Sequence, residues 1–216
     1  MTNNREDYLK TIFRLYESGE KVTNKKISIH LNVAPPSVSE MLKKLQSEDF
    51  ITFKGNEIIL TKTGMQESKR ILSCHRLWET FLLEKLHYNW QDVHEQADLL
   101  EHVTNDELKK HLNVYLNCPR TCPHGSIIYE NVDEPVEKGL FLADLKVGQK
   151  ARIIKVDDEE KQLLAYLDRI GLKLHDELEI VGKDSFDESL SVLYEGRTIL
   201  ISVKATHHIY VKILGE

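Results

Sequence analysis

The chain opens on a helical pattern: Leu9, Ile12, Phe13 and Tyr16 recur at three- and four-residue steps. This predicts an amphipathic helix ending near Ser18, with Glu6 and Asp7 in its first turn and Asn3 or Asn4 placed to cap it. After Gly19, Thr23 or Asn24 caps a short helix through Ile27 and Leu31. Asn32 and Val33 turn the chain, and Pro35-Pro36 opens a third helix whose apolar stripe is Val38, Met41, Leu42 and Leu45. Two short helices on a tight turn read as a helix-turn-helix. Residues 50–53 and 58–61, β-branched and aromatic, flank Lys54-Gly55-Asn56 as a hairpin, so the front of the chain has the layout of a winged helix.

From Lys62 to about Leu86 runs a long helical pattern, followed by helices over about 91–102 and 106–116. Their wide apolar faces make them candidates for a dimer core. Residues 117–125, NCPRTCPHG, hold two prolines and are not helical, and 126–146 reads as a linker with short extended pieces. Beyond it, strands are expected at 151–156, 178–181, 189–194, 198–203 and 209–214, with a helix at 161–170 ended by Gly171. Short strands around one helix suggest a small barrel.

Charge divides the chain by region. Over all 216 residues the formal charge is -6, which speaks against nucleic acid as a partner. Residues 1–70, however, carry twelve basic against nine acidic side chains, residues 71–140 six against twelve, and residues 141–216 eleven against fourteen. An anion-seeking front is thus followed by a cation-seeking middle. Six of the ten histidines (His75, His87, His94, His102, His111 and His124) fall in that middle. With no apolar run long enough to span a bilayer and no apolar signal core at the start, the expected location is the cytoplasm. Three cysteines, Cys74, Cys118 and Cys122, then point to metal or thiol chemistry and not to a disulfide framework.

Four constellations carry chemistry. The third helix offers small hydroxyls and free N–H groups at its N-terminus (Pro36, Ser37, Ser39), with Lys43 and Lys44 placed to reach phosphates. These residues, with Thr23 and Asn24 on the preceding helix, are candidates for DNA contact; a winged helix also serves protein contacts. His94, Asp98, Glu101 and His102 share one helix face, a donor set suited to Mn, Fe or Zn, although such a face also fits a solvated acidic surface. His75 and Glu79, four apart, form a second pair. Cys118, Cys122 and His124 make an incomplete zinc-like spacing that Glu79 would help complete, whereas Cys74 reads as core. The run Asp157-Asp158-Glu159-Glu160 is accounted for by the positive end of the helix it precedes.

The order EDYLKTIFRL, VTNKKISIHLNVAPPSVSEMLKKL, LTKTG, HRLWETFL, HEQADLLEH and CPRTCPHG resembles the diphtheria toxin repressor family, in particular its manganese-responsive branch of scaffold-adhesin and manganese-transport regulators. LLAYLDRIGLKLHDELEIV and IYVKIL are similar to that family's SH3-like barrel of the ferrous-transport-protein A (FeoA) type. The resemblance implies a mainly α chain with small β parts: a winged helix-turn-helix over 1–70, a helical metal-binding and dimerisation domain over 71–125, a linker over 126–146 and an SH3-like FeoA-type domain over 147–216.

It further implies a homodimeric repressor of metal-uptake genes, binding a palindromic double-stranded operator when loaded with Mn²⁺, with Fe²⁺, Zn²⁺ or Cd²⁺ able to substitute, and with neither a membrane nor a small-molecule substrate as partner. Carried over by position, Asp7, His75, Asp98, Glu101 and His102 make one metal site between the domains, and Glu79, Cys122 and His124 a neighbouring one. Asp158, or else Asp157, would complete the second site from the barrel. His94 and Cys118 have no firm match and are expected to be supporting or structural. Asp7 and Asp98 stand where iron-responsive members place methionine and cysteine; hard oxygen ligands suit Mn²⁺, while Cys122 is the one soft ligand. The competing readings are an iron-responsive repressor of the same family, a metal-dependent hydrolase using the same cluster, and a metal buffer or adaptor working through the barrel. The hydrolase reading lacks an evident general base and leaves the winged helix idle.

Overall fold

The computed structural model describes residues 5–132, 139–157 and 161–215. Asn3 and Asn4, read above as caps, and Asp158 lie outside the described residues. The chain divides into two compact units, 1–74 and 75–216.

In the first unit, α1 (Arg5–Glu17), α2 (Asn24–His30) and α3 (Pro35–Ser47) pack on a hairpin of β1 (Ile51–Lys54) and β2 (Glu57–Leu60), and α4 (Lys62–Leu86) begins behind it. The stripes read from sequence point inward: Leu9, Ile12, Phe13, Ile27, Val38, Leu42, Leu45, Ile51 and Ile58 are buried together. Of the two candidate caps for α2, Thr23 is the one used, its hydroxyl accepting from Lys26 N at 3.4 Å. Asn24 reaches across to α3 instead, where Nδ2 donates to Ser39 Oγ at 2.9 Å and Pro35 O at 3.4 Å. The wing is tied to α4 by Thr61, whose hydroxyl donates to Asp49 O at 2.5 Å and accepts from Gly64 N at 3.0 Å. A Cβ on Gly64 would stand 1.9 Å from Phe50 O, so the close approach of the α4 start to the wing requires glycine there.

In the second unit the rest of α4 packs with α5 (Val93–Glu101) and α6 (Asp106–Tyr115) through Leu77, Leu82, Val93, Ala97, Leu112 and Leu116. Asn105 caps α6 by accepting from Leu108 N at 2.8 Å. The chain after α6 is braced against it: Asn113 and Asn131 exchange amide hydrogen bonds of 2.8 Å in both directions, Asn131 Nδ2 also donates to Pro119 O at 2.8 Å, and Lys109 pairs with Glu130. Within the stretch expected to be linker, Ile128, Leu142 and Leu145 are buried.

The remaining strands, β3 (Leu140–Phe141), β4 (Lys150–Val156), β5 (Glu177–Lys183), β6 (Leu190–Tyr194), β7 (Arg197–Ile201) and β8 (Ile209–Leu214), form one antiparallel sheet in the order β3-β8-β4-β5-β6-β7. Their alternating inner residues close on α7 (Lys161–Ile170), whose Leu163, Leu164 and Leu167 enter a core with Ile153, Val156, Ile180, Val192 and Val211. One strand expectation is corrected. The strand read over 198–203 ends at Ile201, because Ser202 caps a short helix, α8 (Val203–Thr206), by accepting from Ala205 N at 3.4 Å.

Candidate metal centre and nucleic-acid interface

Helical spacing puts His75 and Glu79 one turn apart on α4, and His94, Asp98 and Glu101 on one face of α5, with His102 at its C-cap. The loop after α6, which its prolines keep out of helix, supplies Cys122 and His124. His75 sits at the centre. Its Nδ1 lies 2.5 Å from Glu101 Oε2 and 3.4 Å from Asp98 Oδ1, and its Nε2 lies 3.2 Å from Glu79 Oε1 and 3.1 Å from His94 Nδ1. Glu79 Oε1 also lies 3.6 Å from His124 Nδ1, which is 3.9 Å from Cys122 Sγ. Three sets of donor atoms, His75–Glu79–His94, Glu79–Cys122–His124 and His75–Asp98–Glu101, each fall within 4.8 Å of one another.

Of the residues expected in the first site, the second unit brings together His75, Asp98 and Glu101, with His102 Nε2 3.7 Å from Glu101 Oε1. Asp7 lies in the first unit, in the first turn of α1, 3.9 Å from Lys10 Nζ. Glu79, Cys122 and His124 are brought together as a second set. Asp157 pairs with His208, Oδ2 to Nδ1 at 3.0 Å. His94, expected to be supporting or structural, stands in direct contact with both His75 and Glu79. The signal for it was present in the sequence, since His94, Asp98 and Glu101 share a face. Cys118 is exposed and belongs to none of the three sets among the described residues, and Cys74 is buried.

His75, Glu79 and His124 are wholly buried. Burial by itself would lower both imidazoles, yet the Glu79 carboxylate pushes His75 up to about 9, with help from Glu101, and His124 up to about 12. Burial would likewise raise Glu79, but His75 and His124 hold its carboxyl well below the usual range. Without metal the cluster is thus held together by protons. A divalent ion suits it on two grounds. The donors mix imidazole, carboxylate and thiol, and Glu79 Oε2 is buried with no hydrogen-bond partner among the described residues.

A pH dependence of fixed sign follows. The folded-state values of His75 and His124 lie above their unfolded ones, so their stabilisation is present below pH ~6.5 and is lost as pH rises toward the folded-state values. Metal-free protein in chelator should therefore melt at progressively lower temperature as pH is raised from ~6.5 to ~9, while divalent-ion affinity rises over the same interval because fewer protons must leave. Thermal denaturation and metal titration across that interval check both signs; parallel trends would contradict the assignment.

In the first unit, Pro36, Ser37, Ser39, Lys43 and Lys44 all lie on the exposed face of α3, opposite Val38, Leu42 and Leu45. Ser39 is internally engaged, donating to Pro35 O at 3.1 Å while accepting from Asn24. Ser37 and Lys44 line an open groove of about 600 Å³ with Tyr8, Val33, Ala34, Glu40 and Met41.

An exposed recognition-type helix on a wing and a buried set of mixed donors, carried by one chain, define the class of metal-responsive DNA-binding regulators. Family models described as the iron dependent repressor N-terminal DNA binding domain, the iron dependent repressor metal binding and dimerisation domain, and the FeoA domain match residues 1–57, 61–130 and 141–213. The chain belongs to the diphtheria toxin repressor family, a family of DNA-binding transcriptional repressors and not of enzymes. It is similar to the manganese regulator SloR, with 35% identity over 99% of this chain and 100% of that one and a TM-score of 0.83. It is also similar to a manganese-dependent transcriptional repressor in complex with manganese, with 29% identity over 98% and 100% of the two chains and a TM-score of 0.91. The iron-dependent repressor IdeR of Mycobacterium leprae is 30% identical over 129 residues, 59% of this chain and 56% of its own, so the match spans about half of that relative's length. The resemblance read from the motifs holds, and the hydrolase alternative falls with it. No helix among the described residues is long and apolar enough to cross a membrane.

Proposed function

We propose that the protein is a cytoplasmic, manganese-dependent repressor of metal-uptake genes that binds a palindromic operator as a homodimer. The observation that carries this reading is the buried donor set around His75, rich in carboxylate oxygen and supplied by two helices and a loop. Asp7, His75, Asp98, Glu101 and His102 hold one ion, and Glu79, Cys122 and His124 a second, with Asp158 or Asp157 as the ligand from the barrel. The metal supplies positive charge that replaces the protons now shared among these groups.

The chain's own part is to make that replacement matter for DNA. Asp7 is on α1, the helix against which α3 packs in the first unit, so a ligand at Asp7 acts on the body that carries the recognition helix. Ion binding then favours the arrangement in which Asp7 joins the other donors, a population shift and not a new contact to DNA. Thr23, Asn24, Pro36, Ser37, Ser39, Lys43 and Lys44 face the operator, with the lysines on phosphates. Exposed Leu99, Val103 and Leu108, on and between α5 and α6, favour a second copy of the chain as the partner of that face.

Hard oxygen donors and the manganese-bound structural relative favour Mn²⁺; Fe²⁺, Zn²⁺ and Cd²⁺ substitute, and Fe²⁺ is the alternative that the iron-dependent relative favours. A gel shift on a manganese-transporter promoter tests the reading. Mn²⁺ should produce the shift in the parent protein, and Asp7→Ala should lose it while keeping its circular dichroism. Metal-independent binding by the parent would overturn the proposal.

A further inference from the structure

His124 has a neighbour that the metal reading leaves without a role. Trp90, in the connection between α4 and α5, stacks on the His124 ring with centroids 5.7 Å apart and planes at 29°. Its carbonyl oxygen accepts from His124 Nε2 at 3.0 Å, which aims the other nitrogen, Nδ1, at Cys122 Sγ and Glu79 Oε1. The indole also packs against the barrel core, on the cluster that contains Val156 and Leu164. The next backbone bond closes the circuit: Val156 N, at the end of β4, donates to His124 O at 2.9 Å. The indole Nε1 is buried and has no hydrogen-bond partner among the described residues, a desolvation cost that a phenyl ring would avoid.

From this geometry we infer that Trp90 is a positioning residue for the Cys122–His124 centre: its ring and carbonyl fix the rotation of the His124 imidazole and seat that ligand on the barrel. The inference rests on the proposed metal-binding role of Cys122 and His124. A ligating histidine needs its second nitrogen held so that the first keeps its lone pair on the ion, and loss of such an outer partner typically costs 10–100-fold in metal affinity. Here the backbone supplies the hydrogen bond, and the stacked indole keeps the ring in the plane that uses it. A side chain of similar volume without a flat face would fill the space and leave the imidazole free to turn.

The test uses the full chain and Co²⁺ alone, read by the thiolate-to-cobalt charge-transfer band. The parent should show the band and Cys122→Ser should lose it; a parent without the band refutes the metal-binding reading itself. Given the band, Trp90→Leu should raise the Co²⁺ midpoint by at least about tenfold, and Trp90→Phe, which keeps a flat ring, should stay close to the parent. An unchanged midpoint in Trp90→Leu, or equal weakening in both variants, overturns the inference. Should Trp90→Leu not fold, Trp78→Phe leaves Trp90 as the sole indole. Its emission should then change with the same Co²⁺ midpoint as the band, and emission indifferent to Co²⁺ overturns the inference equally.

Discussion

Glu79→Ala should abolish the metal response and, in the metal-free protein, cost about 3–5 kcal/mol of stability, the range for removing one partner of a buried ion pair. Glu79 is wholly buried and its Oε1 is shared by His75 at 3.2 Å, His94 at 3.3 Å and His124 at 3.6 Å. Among the described residues, Glu79 is the carboxylate common to the His75–Glu79–His94 set and the Glu79–Cys122–His124 set. Its removal leaves two imidazoles in a dry interior with only Glu101 beside His75 and Cys122 beside His124 to favour their protonated forms. Burial then counts for more, and His124, now held near 12, should fall and bind its proton less tightly. Chemical denaturation in chelator gives the stability change, and histidine titration by NMR follows the proton. A variant that keeps parent stability and a strongly raised His124 would show that Glu79 is not the hub described here.

Gly125→Ala is expected to be comparably severe, for a reason independent of charge. Gly125 has φ +84, and a Cβ there would lie 2.1 Å from Ile154 O and 2.8 Å from Lys155 Cα, both in the backbone of β4. The left-handed conformation alone costs ~1–3 kcal/mol for a residue with a side chain, and forcing an extra methyl into a packed site adds ~1–3 kcal/mol. The control is Gly148→Ala, with φ +91 and nothing within 4 Å, which carries the conformational cost alone. Thermal melts should therefore rank the parent first, Gly148→Ala next and Gly125→Ala last. Because His124 adjoins Gly125 and accepts from Val156 N, Gly125→Ala should also weaken ion binding at Cys122 and His124, while Gly148→Ala should not. Equal melting of the two variants would mean that the loop yields to the methyl group.

Helices α1 to α7 were legible because each buries an apolar stripe at helical period, and the long pattern over Lys62–Leu86 is the clearest case. The candidate ligands on α4 and α5 were legible for the same reason, since i, i+4 spacing declares a shared face. Sequence could not say which members of that face lie deepest. His94, expected to be supporting or structural, lies 3.1 Å from His75, and the connection between α4 and α5, which has no periodicity to read, sets how far it reaches. Local hydrogen bonding decided other points. Ser202 caps a helix turn where β-branched neighbours promised more strand, and Thr23, not Asn24, caps α2 because Asn24 is drawn to Ser39. The burial of Leu142 and Leu145 was hidden by the charged, proline-containing sequence just before them, which reads as linker on composition alone.

The reciprocal amides of Asn113 and Asn131, eighteen residues apart, turn the ligand-bearing loop into a closed ring stapled to α6. A ring already closed surrendered its chain entropy when the domain folded. Ion capture at Cys122 and His124 therefore has little ordering left to do there, and the free energy of coordination remains available to shift the equilibrium between conformations. The two asparagines carry no charge, and their side-chain amides bond to each other and to Pro119 O, yet they set how much of the ion's binding energy is free to act elsewhere in the chain.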